Sequence, residues 1–324
     1  MRMRTNQKTN RFILLLLCLL LPGPVLAGWT VRSQPVKIAG GGADYFMHPR
    51  WSPDGKYIAF TGQNYSGLWL VSPDGTGLTP LTDEAAAGFG FSWSQDGTAL
   101  LTRISRYEGF RRLHAVTLFD AATATARQLT DLRGRMPDLP RWTPTQERVY
   151  FFNGSTLEFA DTGLKPVQRA KATTTVLPYI RYSHIEIQDS RKGTAHRISG
   201  LETERSINLE ISPDFSKIAF EVVGGNLFVA DIDGSNPIDL GPGFRPQWSP
   251  DGRFLAFMLS EDDGHTFTAS DIYIIRADGS ERTRLQFTED RMEMDPSWSA
   301  DGTKLVFHDH RNGEIYIVEL EYTN

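Results

Sequence analysis

The chain has one cysteine, Cys18, in 324 residues. A single thiol closes no internal disulfide and builds no Cys-cluster zinc or iron–sulfur site. A basic excess is also missing: 34 Lys and Arg stand against 39 Asp and Glu, for a formal net charge of −5. That balance argues against a dedicated nucleic-acid binder. Long apolar runs are absent except for Phe12 to Leu21, ten residues, where a membrane-spanning helix needs roughly 20. The composition is not low-complexity, and 40% hydrophobic residues suffice for a packed core.

That short run has a specific setting. Arg2, Arg4, Lys8 and Arg11 precede it with no acidic residue, Pro22 ends it, and Val25-Leu26-Ala27 offers small residues before Gly28. This is the layout of a secretory signal peptide over residues 1–27. Cys18 lies within the run, preceded by Leu15-Leu16-Leu17, so it is not placed as a lipoprotein cleavage cysteine. Cleavage after Ala27 leaves 297 residues, no cysteine and a formal charge of −9, a composition suited to an oxidising compartment. The expected location is therefore periplasmic or secreted, with no membrane span in the mature chain.

The strongest signal is an internal repeat. Trp51-Ser-Pro-Asp-Gly55 recurs as Trp93-Ser-Gln-Asp-Gly97, Trp248-Ser-Pro-Asp-Gly252 and Trp298-Ser-Ala-Asp-Gly302, with weaker copies at Trp142-Thr-Pro-Thr-Gln146 and Ile211-Ser-Pro-Asp-Phe215. Ser, Pro, Asp and Gly suit the four positions of a type I turn. An apolar strand follows each turn, as in Tyr57-Ile-Ala-Phe60 and Phe254-Leu-Ala-Phe257, so each motif reads as a hairpin. The Trp reads as a packing wedge between neighbouring sheets. A second hairpin follows, as in Leu68-Trp-Leu-Val71 turning at Pro73-Asp-Gly75. Four strands per 40–50 residues describe an all-β propeller.

The spacings between copies are 42, 49, 69, 37 and 50 residues. The long one holds two second-hairpin patterns, at Leu157 to Gln168 and Ile185 to Ser199, with residues 173–183 as a compressed first hairpin. That count favours seven blades over six in a single domain, residues 28–324. Pro35-Val-Lys-Ile-Ala39 reads as a lone fourth strand that completes the last blade and closes the ring.

Trp248 to Gly279 and Asp295 to Val318 resemble the TolB-type propeller repeat. The resemblance implies a TolB-like propeller fold and an exported protein-interaction role. TolB itself carries an α/β domain before its propeller, whereas about 17 residues separate Gly28 from the first blade here, so the expectation is the propeller alone. Similar blades also occur in gates of serine oligopeptidases and in some polysaccharide lyases. The sequence has no G-x-S-x-G elbow, which sets the peptidase reading aside.

Metal and cofactor chemistry find little support. His308-Asp309-His310 falls where a solvated or structural loop is expected, and zinc needs three or four close ligands. Asp231-Ile-Asp233-Gly-Ser-Asn236 lacks the closing Glu of an EF-hand and reads as a turn. No cofactor and no metal are assigned.

Recognition is expected on the face carrying blade-to-blade links and the links between second and third strands, the variable positions of a rigid scaffold. There Arg103, Arg106, Arg111, Arg112, Arg133 and Arg135 form a basic sector, and Glu261, Asp262, Asp263 and Glu293 an acidic one. Such a gradient orients a charged partner. The innermost strands place His48, Arg50, Arg141, Arg245 and Asp295 at the mouth of the central channel, where Arg can grip a carboxylate or phosphate or pair with Asp138 or Asp295. The functional reading is a non-enzymatic, monomeric scaffold for a protein or peptide partner in the cell envelope. The alternative is a lyase-type carbohydrate-active enzyme using the channel-mouth His and Arg.

Overall fold

A computed structural model describes residues 28–167, 175–286 and 290–323. The expected signal segment, residues 1–27, lies outside them, as does the start of the compressed hairpin. Seven antiparallel sheets follow one another along the chain. Blade 1 holds Phe46–Trp51, Ile58–Gly62, Leu68–Val71 and Thr79–Thr82; blade 2 holds Ser92–Trp93, Ala99–Glu108, Arg111–Asp120 and Ala126–Gln128. Blade 3 shows Arg141–Trp142, Arg148–Phe152 and Leu157–Asp161, and blade 4 shows Val176–Arg181, His184–Asp189 and Ala195–Arg197. Blade 5 starts at Ser206–Ile211, blade 6 at Phe244–Trp248 and blade 7 at Glu293–Trp298. No helix among the described residues is long and apolar enough to cross a membrane.

The repeated turn works as its composition predicts. Ser52 Oγ donates to Asp54 Oδ1 at 2.7 Å, and the Gly55 amide donates to the Ser52 carbonyl at 2.9 Å. The same Ser-to-Asp bond recurs at Ser94, Ser212, Ser249 and Ser299. The fourth turn residue is left-handed in every copy, including the non-glycine Gln146 and Phe215 (φ 56° and 57°). Gln146 adds a staple: its Nε2 donates to Asp96 Oδ2 at 2.7 Å, tying the turn of blade 3 to that of blade 2.

Each motif Trp is a wedge with a polar tether. Trp93 Nε1 donates to the Arg50 carbonyl at 3.0 Å, Trp248 Nε1 to the Glu210 carbonyl at 3.4 Å, and Trp298 Nε1 to the Gln247 carbonyl at 3.2 Å. Each of these acceptors directly precedes the motif position in the previous blade, so these indoles lock their blades onto the one before, as Trp142 does through Ser92 Oγ at 3.1 Å; Trp51 Nε1 instead donates to the Gly55 carbonyl of its own turn at 3.4 Å. Strand residues alternate between two buried faces: Ile58 and Phe60 pack toward blade 7, Ala59 toward blade 2. Among the described residues, the buried side chains form seven clusters, one at each blade junction. The junction of blades 3 and 4 is the thinnest, with Tyr150, Phe152, Leu177 and Tyr179.

The predicted closing strand is present as Val36–Ala39, antiparallel to residues 315–317 of the Glu314–Thr323 strand. A second strand, Gly28–Val31, went unpredicted; it pairs with residues 320–323 farther along the same edge. Its Trp29 packs 5.0–5.3 Å from Trp298, Tyr322 and Phe254. Gly40 turns the chain from the closing strand at φ 81°, where a Cβ would lie 2.3 Å from the Gly313 carbonyl oxygen.

Candidate functional site

The inner strands of blades 1, 5, 6 and 7 share a distortion. Each breaks register three or four residues before its motif position. The residue three before it is left-handed: His48 (φ 55°), Asn208 (51°), Arg245 (55°) and Asp295 (53°). Blade 2 has Gly90 there, φ 73°. A left-handed L-residue costs about 1–2 kcal/mol, and such strain gathers where a fold must aim particular side chains. The bulges turn one polar residue per blade toward the ring axis.

Asp295, 3% exposed, is the hub. Its Oδ2 lies 3.3 Å from His48 Nδ1 and 3.4 Å from His308 Nδ1, and its Oδ1 lies 3.3 Å from Arg245 Nε. Burial by itself would push the carboxyl up; Arg245, His48, His308 and Arg50 outweigh it and hold Asp295 well below the usual carboxylate range. Burial pushes His48 down to about 3 and His308 down to about 4, with Asp295 opposing both. Both imidazoles are therefore neutral at pH 7. The tautomer that serves both neighbours has His48 Nδ1–H donating to Asp295 while Nε2 accepts from Arg245 Nη1 at 2.9 Å. Arg245 Nη2 also reaches Tyr65 Oη at 3.5 Å, and its backbone amide donates to Glu221 Oε1. Glu221 in turn accepts from Asn208 Nδ2 at 2.7 Å.

The channel opens beside this hub. A cavity of about 380 Å³ is lined by His48, Arg50, Phe89, Asp138, Arg141 and Arg245, among others. A second, of about 440 Å³, shares Arg50, Trp93, Gln95 and Glu210 with it. Those residues, with Pro53, Phe91, Ser92 and Pro213, form the waist between the two spaces. Arg141 donates to the Leu209 carbonyl at 2.9 Å and stands 3.6 Å from Asp138 Oδ1. Asp138 Oδ2 also accepts from the Ile180 amide at 3.2 Å. Burial pushes the Asp138 carboxyl up, against Arg141 and two backbone amides. Tyr65 and Phe89, 5.2 Å apart and edge-on, form an aromatic rim.

The structure thus brings His48, Arg50, Arg141, Arg245 and Asp295 into one channel region. It adds His308, Asn208 and Glu221, which the sequence reading missed. His308 and Asp309 are not in a solvated loop; they close the buried Lys304–Asp309 strand. A usable signal was Pro two residues before the motif Trp, at Pro49, Pro246 and Pro296, because Pro in an inner strand marks a bulge.

The charged rim differs in detail from the expectation. Residues 103–112 and 259–270 are not loops but parts of long hairpins, Ala99–Glu108 with Arg111–Asp120 and Phe254–Asp262 with Phe267–Arg276. Arg103 turns inward, donating to the Met136 and Asp138 carbonyls. Arg106 is engaged by Glu84 and Arg133 by Glu158. Arg135 reaches Tyr182 Oη at 3.4 Å. Arg111 and Arg112 stay exposed, beside Tyr107 (66% exposed) and the fully exposed Phe110. Glu261, Asp262 and Asp263 are exposed on the blade 6 hairpin, where Asp263 Oδ1 accepts from the His265 and Thr266 amides. Glu293 does not join them. It starts an inner strand, is 2% exposed, and its Oε1 has no partner among the described residues. Burial, with Asp271 and Asp309 adding to it, pushes this carboxyl up to about 7.

Fold and channel together define the class: a seven-bladed β-propeller with a polar, arginine-lined axis. No family model matches the chain. A protein TolB homolog from Chlorobium luteolum is 33% identical over 133 residues, which are 38% of this chain and 29% of that protein. The structure of TolB from Acinetobacter baumannii matches with a TM-score of 0.51 at 20% identity, covering 79% of this chain and 57% of that one. A TolB-type structure from Agrobacterium tumefaciens matches at 0.52 and 18% identity, covering 92% and 99%. The chain spans less than a third of the curated relative and somewhat over half of the Acinetobacter chain. Its propeller is TolB-like in repeat and in fold.

Proposed function

We propose that this chain is an exported, monomeric scaffold that binds a protein or peptide partner in the periplasm or cell envelope, without catalysis. The observation that carries the reading is the blade 2 hairpin, which holds Phe110 fully exposed at its tip with Tyr107, Arg111 and Arg112 beside it. Exposed aromatics next to arginine are the composition of protein contact surfaces. The acidic tip of the blade 6 hairpin supplies the opposite sign, which orients a partner during encounter. Likeness to TolB and the signal-peptide layout of residues 1–27 support the envelope assignment.

The test is a photo-reactive amino acid placed at position 110, and separately at Ala300 on the opposite, turn-bearing face, in cells making the full chain. The expected result is a discrete protein adduct from position 110 only, weakened when Arg111 and Arg112 are both changed to Gln. Mass spectrometry of the same material should find Gly28 at the N-terminus. Equal labelling from both faces would overturn the scaffold reading, and an intact Met1 terminus would overturn export.

A further inference from the structure

The three channel arginines are not equivalent. Arg245 is committed to Asp295 and His48. Arg141 is half committed: Nη1 and Nη2 face Leu209 and Asp138, while its buried Nε has no partner among the described residues. Arg50 makes no side-chain hydrogen bond or ion pair with the described residues, and its Nη1 is buried without a partner. Its compensation is the more distant field of Glu210 and Asp295. Guanidinium stays charged in proteins, and a buried charge without a hydrogen-bonded partner is strongly disfavoured. A fold that keeps one at the waist of an open channel is arranged for an anion that arrives from outside.

A second group at the waist has the complementary need. Gln95 Nε2 is fixed by the Thr143 and Pro144 carbonyls, at 3.3 and 2.9 Å, which leaves Oε1 as a buried acceptor without a partner. Phe89, Leu139, Pro140 and Ile180 supply an apolar wall to the same cavity. Free donors, one free acceptor and an apolar wall match the end of a peptide: a terminal carboxylate, the N–H of the last residue and its side chain. Inorganic phosphate fits less well, because it carries no apolar group to lay against that wall.

We propose that the channel waist binds the C-terminal carboxylate of a peptide, gripped by Arg50 and assisted by Arg141, with Gln95 taking the last N–H. Arg50 is thus a binding residue whose guanidinium makes no hydrogen bond within the described residues. The inference rests on the peptide-binding reading above but concerns the axis of the ring, not the hairpin rim.

The experiment uses residues 28–324 and four probes: N-acetylphenylalanine, its amide, inorganic phosphate and galacturonate. Binding is followed by calorimetry and by the fluorescence of Trp93 and Trp142, which line the cavity. The expected order places N-acetylphenylalanine first, with the other three at least tenfold weaker. Arg50→Met should abolish that binding while leaving the melting temperature within a few degrees of the parent, since the guanidinium of this half-buried residue makes no hydrogen bond with the described residues. Arg50→Lys, which keeps the charge and loses the fork, should weaken binding at least tenfold and serves if the Met variant does not fold. Equal affinity for acid and amide, tighter phosphate or galacturonate binding, or wild-type affinity in both variants would overturn the proposal. Adducts at position 110 alongside any of these outcomes would sink the carboxylate site alone. Arg50-dependent acid binding without those adducts would sink the hairpin scaffold alone.

Discussion

Asp295→Asn isolates the charge at the hub of the channel. Asn has nearly the same shape and tolerates the left-handed backbone at φ 53° as well as Asp does, so neither packing nor strain should change. What changes is that Arg245 loses its carboxylate and the two imidazoles lose the negative charge beside them, while His308 Nδ1 keeps the Met294 carbonyl at 3.2 Å. Breaking a buried pair by removing one partner costs about 3–5 kcal/mol. The Arg245 side chain is 31% exposed, so water recovers part of this, and we expect a loss of about 2–3 kcal/mol at pH 7. Urea unfolding should show a lower midpoint at unchanged slope. Adding Arg245→Met should restore more than half of the loss, because the orphaned cation is then gone. The pH dependence follows with its sign. His48 and His308 sit at about 3 and about 4 when folded, below their ordinary value of roughly 6.5. The unfolded chain therefore binds more protons below that value, and stability falls as the pH drops from 6.5 toward 4. Without Asp295 to favour the imidazolium forms, the fall should be steeper in the variant. A loss under about 0.5 kcal/mol, or additivity in the double variant, would refute the hub as an electrostatic unit.

Three further outcomes are expected. Glu293→Gln should stabilise the protein by about 1–2 kcal/mol at pH 8 and much less at pH 4.5. In the parent the buried carboxyl is pushed up from 4.5 to about 7, so its protonated form is the favourable one and stability declines as the pH rises from 4.5 to about 7 and levels off above it; chemical denaturation at the two pH values checks this. Deleting residues 28–40 uncovers the long edge of Glu314–Thr323 and removes Trp29 from its aromatic nest, so light scattering should detect self-association. At Gln146, Ala should cost more than Gly by about 1 kcal/mol. Both lose the staple to Asp96, but only Gly relieves φ 56°; melting curves of the two variants decide the order.

The ring was legible because its signals are local. Trp, Ser, Pro, Asp and Gly each act within a few residues of where they stand, and the spacing of their copies counts the blades. The closing strand was legible for the same reason, as an apolar pattern next to Gly40. The site was legible only in outline. Residues of the inner strands could be placed near the axis from their offset to Trp, which caught His48, Arg245 and Asp295. Their meeting depends on bulges, and a bulge is a tertiary compromise between a ladder and a neighbour. Glu293 shows the opposite failure: its acidic neighbours in sequence suggested a solvated loop, yet it begins a strand two residues before Asp295 and faces inward. His308 was hidden because a histidine at the end of an apolar strand looks the same whether it ends in water or against a carboxylate.

The pairing of Gly28–Val31 and Val36–Ala39 with Glu314–Thr323 also has a kinetic side. These partners are nearly 290 positions apart, as in the Thr30–Glu321 and Ser33–Glu319 contacts. On any directional route, from a ribosome or through a translocation pore, the sealing segment appears before the seven blades and its partner only with the last of them. Six blades can assemble by adding each hairpin to the one before, at little loop-closure cost. The seventh junction must wait for the Glu314–Thr323 strand. Until then the ring is open between its first and last blades. Delivery is therefore coupled to closure: the arginines of the axis stand on earlier blades, and the ring around them is sealed only when the Glu314–Thr323 strand arrives.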